Sequence, residues 1–109
     1  WLINTGWIAG GADASSRIKI RWTRNLLNAA INGNLDNVVF VKDERFGFEI
    51  PTTCEGVPDR ILQPRETWDD ETRYDNVANL LAQMFIENFQ QYADGCSEEV
   101  IAAGPTPLV

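Results

Sequence analysis

The sequence predicts a small mixed α/β unit dominated by one long helix. Residues 70–92 carry Tyr74, Val77, Leu81, Met84, Phe85 and Phe89 at helical spacing, which makes one apolar stripe. Residues 20–32 repeat that periodicity, with Ile20, Thr23, Leu27, Ala30 and Ile31 on one face. Three short runs, 1–5, 38–41 and 46–50, are apolar or alternating, as strands are, with Gly6 ending the first and Pro51 the last. The chain has 109 residues and a hydrophobic share of 44%. A domain of this size buries about 65% of the surface its unfolded chain exposes, enough for one core. No internal repeat or composition shift divides it, so 1–109 reads as a single unit.

In chain order, Trp1–Thr5 is expected to be a buried strand that ends at Gly6. Gly10–Ser16 is small and polar and reads as a flexible loop. The first helix follows, and Gly33 supplies a left-handed stop. Val38–Val41 reads as the second strand. Phe46, Phe48 and Ile50 alternate with Gly47 and Glu49 in a third, which Pro51 ends because it cannot donate to a ladder. Gly56, Pro58 and Pro64 mark 52–64 as an extended connection. Thr67 or Asp69 could cap the long helix, whose first turn holds Asp70 and Glu71 at the positive end of the dipole. Met84 and the aromatic residues around it are expected in the core. Ser97 is positioned to cap a last short helix running to about Ala103, closed by Gly104-Pro105.

Composition excludes several functions. The net charge is -7, from nine basic and sixteen acidic residues. Affinity for nucleic acid or an anionic membrane comes from clustered Lys and Arg, so neither is an expected partner. No apolar run approaches the length that spans a bilayer, and no signal peptide is evident. The chain opens on Trp1 rather than Met, which reads as a piece of a longer protein. It contains no histidine, which removes Ser-His and Cys-His nucleophile pairs and His-ligated zinc together. Cys54 and Cys96 form no CxxC pair and read as reduced thiols rather than a disulfide.

The acidic clusters Asp43-Glu44, Asp69-Asp70-Glu71 and Glu98-Glu99 read as surface charge and helix-start carboxylates, so no metal site is assigned. Gly6 and Gly11 have the spacing that opens a phosphate loop, but Ala12 and Asp13 stand where Lys and Ser or Thr are required. Arg17-Ile18-Lys19-Ile20-Arg21-Trp22-Thr23-Arg24 is more informative, since it holds four of the nine basic residues within eight positions. A guanidinium can stack on a flat heteroaromatic ring, and a Thr hydroxyl can bond a ribose or base. On composition alone, a solvated helix start is the favoured explanation of the cluster.

Together with Trp1-Leu2-Ile3-Asn4-Thr5-Gly6-Trp7, this cluster resembles the C-terminal region of the ATP-dependent phosphoenolpyruvate carboxykinases. The resemblance continues in order through Asn32–Asn37, Phe46–Thr52, Gly56-Val57-Pro58, Ile61–Arg65, Phe85–Phe89 and Ala102–Pro105. It implies a C-terminal portion of the ATP-binding catalytic domain of a cytoplasmic enzyme of gluconeogenesis. That enzyme converts oxaloacetate and ATP to phosphoenolpyruvate, ADP and carbon dioxide. Arg17, Ile18 and Thr23 match the family's nucleotide-binding Arg-Ile pair and downstream Thr. ATP is the implied cofactor, and the ligands for a divalent Mg or Mn lie outside this chain. The family's phosphate loop and catalytic residues have no counterpart here, so the chain alone is expected to be inactive. The pattern departs from the family in a longer loop between Trp7 and Arg17. It departs again at Ser16 and Trp22, where the family often has Lys and Asp. Unpaired apolar edges also predict self-association. The reading from another class is a free-standing acidic protein-binding module that uses Trp7, Trp22 or Trp68.

Overall fold

The computed structural model describes residues 1–10 and 16–108. The mixed α/β expectation holds: four helices accompany two small two-stranded sheets, and one helix dominates. The elements are β1 (Trp7–Ile8), β2 (Ser16–Arg17), α1 (Ile20–Ile31), β3 (Phe40–Lys42), β4 (Glu49–Pro51), α2 (Asp59–Leu62), α3 (Glu71–Phe89) and α4 (Glu98–Ala102). Short 3₁₀ turns occupy Pro64–Thr67 and Ala93–Gly95. The glycine loop expected over 10–16, and the end of the phosphate-loop spacing, fall largely in residues 11–15, outside the described residues.

The chain divides into two compact units. The first comprises Trp1–Val41 and Ile50–Glu71. Its core gathers Ala29, Leu35, Cys54, Val57 and Leu62, with Trp22, Leu26, Ala30, Val38, Phe40 and Ile61 packed against them. The buried face of α1 is therefore Trp22, Thr23, Leu26, Ala29 and Ala30. It lies roughly a quarter turn around the helix from the expected stripe, at 100° per residue. Ile20, Leu27 and Ile31 are exposed. Helix α1 ends as its sequence requires. Asn34 N–H donates to the Ala29 carbonyl at 2.9 Å and Gly33 N–H to Ala30 at 3.4 Å, with Gly33 at φ 77°. This is a Schellman motif, which places a left-handed residue just past the helix.

The expected strand at 1–5 is absent. A strand needs a partner for its backbone groups, and among the described residues the pairing begins only at Trp7. Trp1 and Leu2 are 70% and 78% exposed, although the Trp1 ring sits 6.1 Å from that of Phe40. The other two expected strands form a hairpin, shifted and shortened to β3 and β4. The cause is the connection at 43–48. The Asp43 carboxylate accepts from the backbone N–H of Arg45 at 2.9 Å and of Phe46 at 2.8 Å. Gly47 N–H donates to the Asp43 carbonyl at 2.8 Å with φ 77°. That side-chain-capped turn takes Phe46 out of the ladder and leaves Phe48 only its carbonyl, which accepts from Asp43 N–H at 2.8 Å.

The second unit comprises Lys42–Glu49 and Thr72–Val109. Its long helix buries small side chains: Ala78 and Ala82, the latter fully. The expected core stripe is largely on the surface instead, with Val77, Leu81, Met84 and Phe85 exposed and Met84 57% accessible. Polar fastening on the other face explains the difference. Arg45, with 10% of its side chain exposed, pairs with Asp75 at 3.1 Å and donates through Nε to Asn79 at 2.7 Å. Its guanidinium also lies 5.8 Å from the Tyr74 ring centre. Asn79 then bonds the Leu108 backbone twice, accepting from its N–H at 2.9 Å and donating to its carbonyl at 2.6 Å. Small residues let these groups approach the helix closely, and bulky ones face away. Helix α4 is capped as expected, its Ser97 hydroxyl accepting from Val100 N–H at 3.3 Å.

Candidate functional site

The basic cluster begins on a two-stranded stem. Asn4 folds its side chain onto the Gly6 N–H at 2.8 Å, and a Cβ at Gly6 would lie 2.8 Å from that same oxygen. The turn delivers Trp7 into an antiparallel pair in which Trp7 faces Arg17 and Ile8 faces Ser16. Ile18 N–H donates to the Gly6 carbonyl at 2.9 Å and continues the pairing by one bond. Two residues later α1 begins, so Arg17, Ile18 and Thr23 lie on adjoining pieces of one stem and one first helical turn.

Arg17 is exposed but held. Its Nε and Nη2 both reach the Thr5 carbonyl at a long 3.4 Å, and its guanidinium lies 5.5 Å from the centre of the Trp7 ring. Ile18 is half-buried. Thr23 is 9% exposed, and its hydroxyl is buried with no hydrogen-bond partner among the described residues. Buried hydroxyls in native proteins are nearly always bonded, and an orphan needs an explanation. The neighbouring cations are engaged with a ring as well. Lys19 Nζ lies 4.9 Å and Arg21 Cζ 5.7 Å from the centre of Trp22, which packs on the core.

Two residues with a part in this stem carried no such signal in the sequence. Trp7 stood out as the end of the 1–7 motif and as an exposed aromatic, with nothing to tie it to Arg17. Thr67 read as a helix cap, yet its hydroxyl accepts from Ala9 N–H at 3.1 Å and donates to the Pro64 carbonyl at 2.7 Å. Thr67 is buried, and it anchors the far end of β1 where Ala9 takes φ 65°. Only sequence-distant pairing reveals that role.

A separate open cleft of about 420 Å³ lies on the same unit, lined by Asn25, Asn28, Asn34, Thr53, Cys54 and Glu55 among others. Asn25 Nδ2 donates to the Gly56 carbonyl at 3.2 Å across its rim. Cys54 and Cys96 are free thiols. Burial, and then the Glu55 carboxylate beside it, raises the Cys54 thiol above its ordinary value, so it remains protonated and unreactive. Among the described residues no group of three or more Cys, Asp or Glu side chains is placed to hold a metal ion. No helix among them is long and apolar enough to cross a membrane.

A profile described as phosphoenolpyruvate carboxykinase matches residues 1–60, which include the whole stem, Arg17, Ile18 and Thr23. The chain belongs to the phosphoenolpyruvate carboxykinase family. It is 50% identical over 105 residues to the phosphoenolpyruvate carboxykinase (ATP) of Caldanaerobacter subterraneus and 49% identical over 105 to that of Thermus thermophilus. The protein of the same name from Dictyostelium discoideum is 44% identical over 105 residues. Each comparison covers 96% of this chain, so the likeness runs well beyond residue 60. The chain spans only about a fifth of the length of these carboxykinases, 20%, 20% and 19% respectively.

Proposed function

We propose that this chain is the C-terminal portion of an ATP-dependent phosphoenolpyruvate carboxykinase and forms the base-and-ribose side of its nucleotide site. The whole enzyme then converts oxaloacetate and ATP to phosphoenolpyruvate, ADP and carbon dioxide, as a cytoplasmic step of gluconeogenesis. Arg17 packs its guanidinium on the base, Ile18 lines the base edge, and the Thr23 hydroxyl bonds the nucleoside. The observation that carries this reading is the orphan hydroxyl of Thr23, one helical turn past the Arg17 stem. A buried hydroxyl without a partner costs about 1–3 kcal/mol. A nucleoside that bonds it offsets that cost once the side chains over the oxygen move aside, which gives the position a reason to carry Thr.

The described residues do not fit a divalent metal. Mg or Mn would be held elsewhere in the whole enzyme. Phosphate and substrate contacts belong to that larger part too, so the chain alone does not catalyse. An acidic protein-binding module fits less well, because Trp22 and Trp68 are half-buried and of the three expected tryptophans only Trp7 is exposed.

The test is steady-state kinetics in the full-length enzyme. Arg17 sits away from the transferring phosphoryl group, so its contact is felt equally in ground and transition states. Arg17→Ala should raise KM for ATP roughly 5- to 30-fold, the equivalent of about 1–2 kcal/mol, with kcat nearly intact and KM for oxaloacetate unmoved. A collapse of kcat at saturating ATP, with ATP affinity unchanged, would show that Arg17 does not belong on the base side.

A further inference from the structure

We infer that Trp7 is a positioning residue for nucleotide binding, acting through Arg17. The inference rests on the base-side reading of Arg17. A free arginine side chain samples many rotamers, and binding a ligand must freeze them. Here three contacts from residues 5–7 reduce that freedom beforehand. The Arg17 guanidinium carbon lies over the Trp7 ring, 5.5 Å from its centre, and the Thr5 carbonyl accepts from Nε and Nη2 at 3.4 Å. Ile18 N–H on the Gly6 carbonyl at 2.9 Å fixes the backbone beside it. A guanidinium has two faces, and the indole meets only one of them. A flat heteroaromatic base can stack there, continuing the order set by the indole.

The stem alone is too short to hold this geometry. Two strands of two residues form an isolated ribbon, which is marginal in water. Its anchorage comes from Thr67, buried and bonded both to Ala9 N–H and to the Pro64 carbonyl. Ala9 adopts φ 65°, a left-handed conformation a non-glycine residue takes only when its surroundings impose it. Thr67 therefore fixes where β1 ends, β1 presents Trp7, and Trp7 orients Arg17.

The experiment compares Trp7→Ala, Trp7→Leu, Trp7→Phe, Arg17→Ala and the Trp7→Ala/Arg17→Ala double variant in the full-length enzyme. Trp7→Ala should raise KM for ATP roughly 3- to 10-fold with kcat preserved, because an exposed cation–π contact and side-chain ordering are lost. Trp7→Phe should restore most of the affinity by keeping an aromatic face. The double variant should be no worse than Arg17→Ala alone, since the indole has nothing to orient once the guanidinium is gone. If Trp7→Ala does not fold, Trp7→Leu carries the test: it keeps apolar bulk without a π face and should still raise KM. A raised KM in Arg17→Ala beside an unchanged one in both Trp7→Ala and Trp7→Leu overturns the inference and leaves the base-side reading standing. So does a double variant whose effects multiply. An unchanged KM for ATP in Arg17→Ala removes the base-side reading, and the inference with it.

Discussion

Thr23 is buried with its hydroxyl unbonded, so its effects on folding and on binding have opposite signs. Valine has the same shape without the polar atom. Thr23→Val should leave stability unchanged or raise it by up to about 1 kcal/mol, because the desolvated hydroxyl disappears. The same variant should raise KM for ATP by a smaller factor than Arg17→Ala, since one neutral hydrogen bond is lost. Thermal melting beside kinetics checks both arms, and a destabilised variant with normal KM would contradict the assignment. Cys54 carries a second expectation at this scale. Its thiol is raised by burial and by Glu55 above the ordinary value of 9.0. The folded state therefore keeps a proton that the unfolded state releases. Stability held below that ordinary value is lost as pH climbs through the raised one. Urea midpoints should fall between about pH 8 and pH 10 in the native protein, and less so in Cys54→Ala. Equal slopes in both proteins would remove Cys54 as the cause.

At the scale of elements, helix ends were legible in the sequence and helix faces were not. Gly33 and Ser97 act through their own backbone and side chain, so local chemistry sufficed to place them. Burial depends on what arrives from elsewhere in the chain. On α3 the arrivals are Arg45 and the Leu108 backbone, which select the small-residue face marked by Ala78 and Ala82 over the apolar one. Periodicity alone could not anticipate a polar clamp. Asn79 is the centre of that clamp, with three hydrogen bonds to Arg45 and Leu108. Asn79→Ala should cost about 1–3 kcal/mol, mostly through the unsatisfied groups it leaves. The tail at 104–108 should then lose amide-exchange protection and become cleavable. Protection at Leu108 that survives the substitution would show the tail is held by something else. The candidate site divides in the same way. The basic cluster drew attention to Arg17, Ile18 and Thr23 without any structure. The parts played by Trp7 and Thr67 rest on contacts across 10 and 58 positions and have no local signature.

Across the described residues, large apolar side chains lie exposed on two helices. Val77, Leu80, Leu81 and Met84 form one exposed stripe at helical spacing on α3, and Ile20, Leu27 and Ile31 form another on α1. Exposed apolar patches mark surfaces that associate. The isolated chain should therefore sediment as concentration-dependent oligomers, and Leu80→Lys with Met84→Lys should shift it towards monomer. The expected cause has moved from the Trp1–Thr5 segment, which is no strand, to these helix faces. A monomer at high concentration would sink the idea.

The doubly tied stem also bears on how this protein can vary. Trp7 is paired to Arg17 on one side, and Ala9 is bonded to Thr67 on the other. Both ends of the intervening segment are thus fixed by contacts that do not involve it. Closing a longer segment costs little, about 0.6 kcal/mol for each doubling of length. A change of length between Gly10 and Ser16 therefore leaves intact the ties that hold Arg17 in place. For protein engineering, the same segment is a natural point to splice in a peptide tag or a reporter dye, read out by nucleotide binding next door.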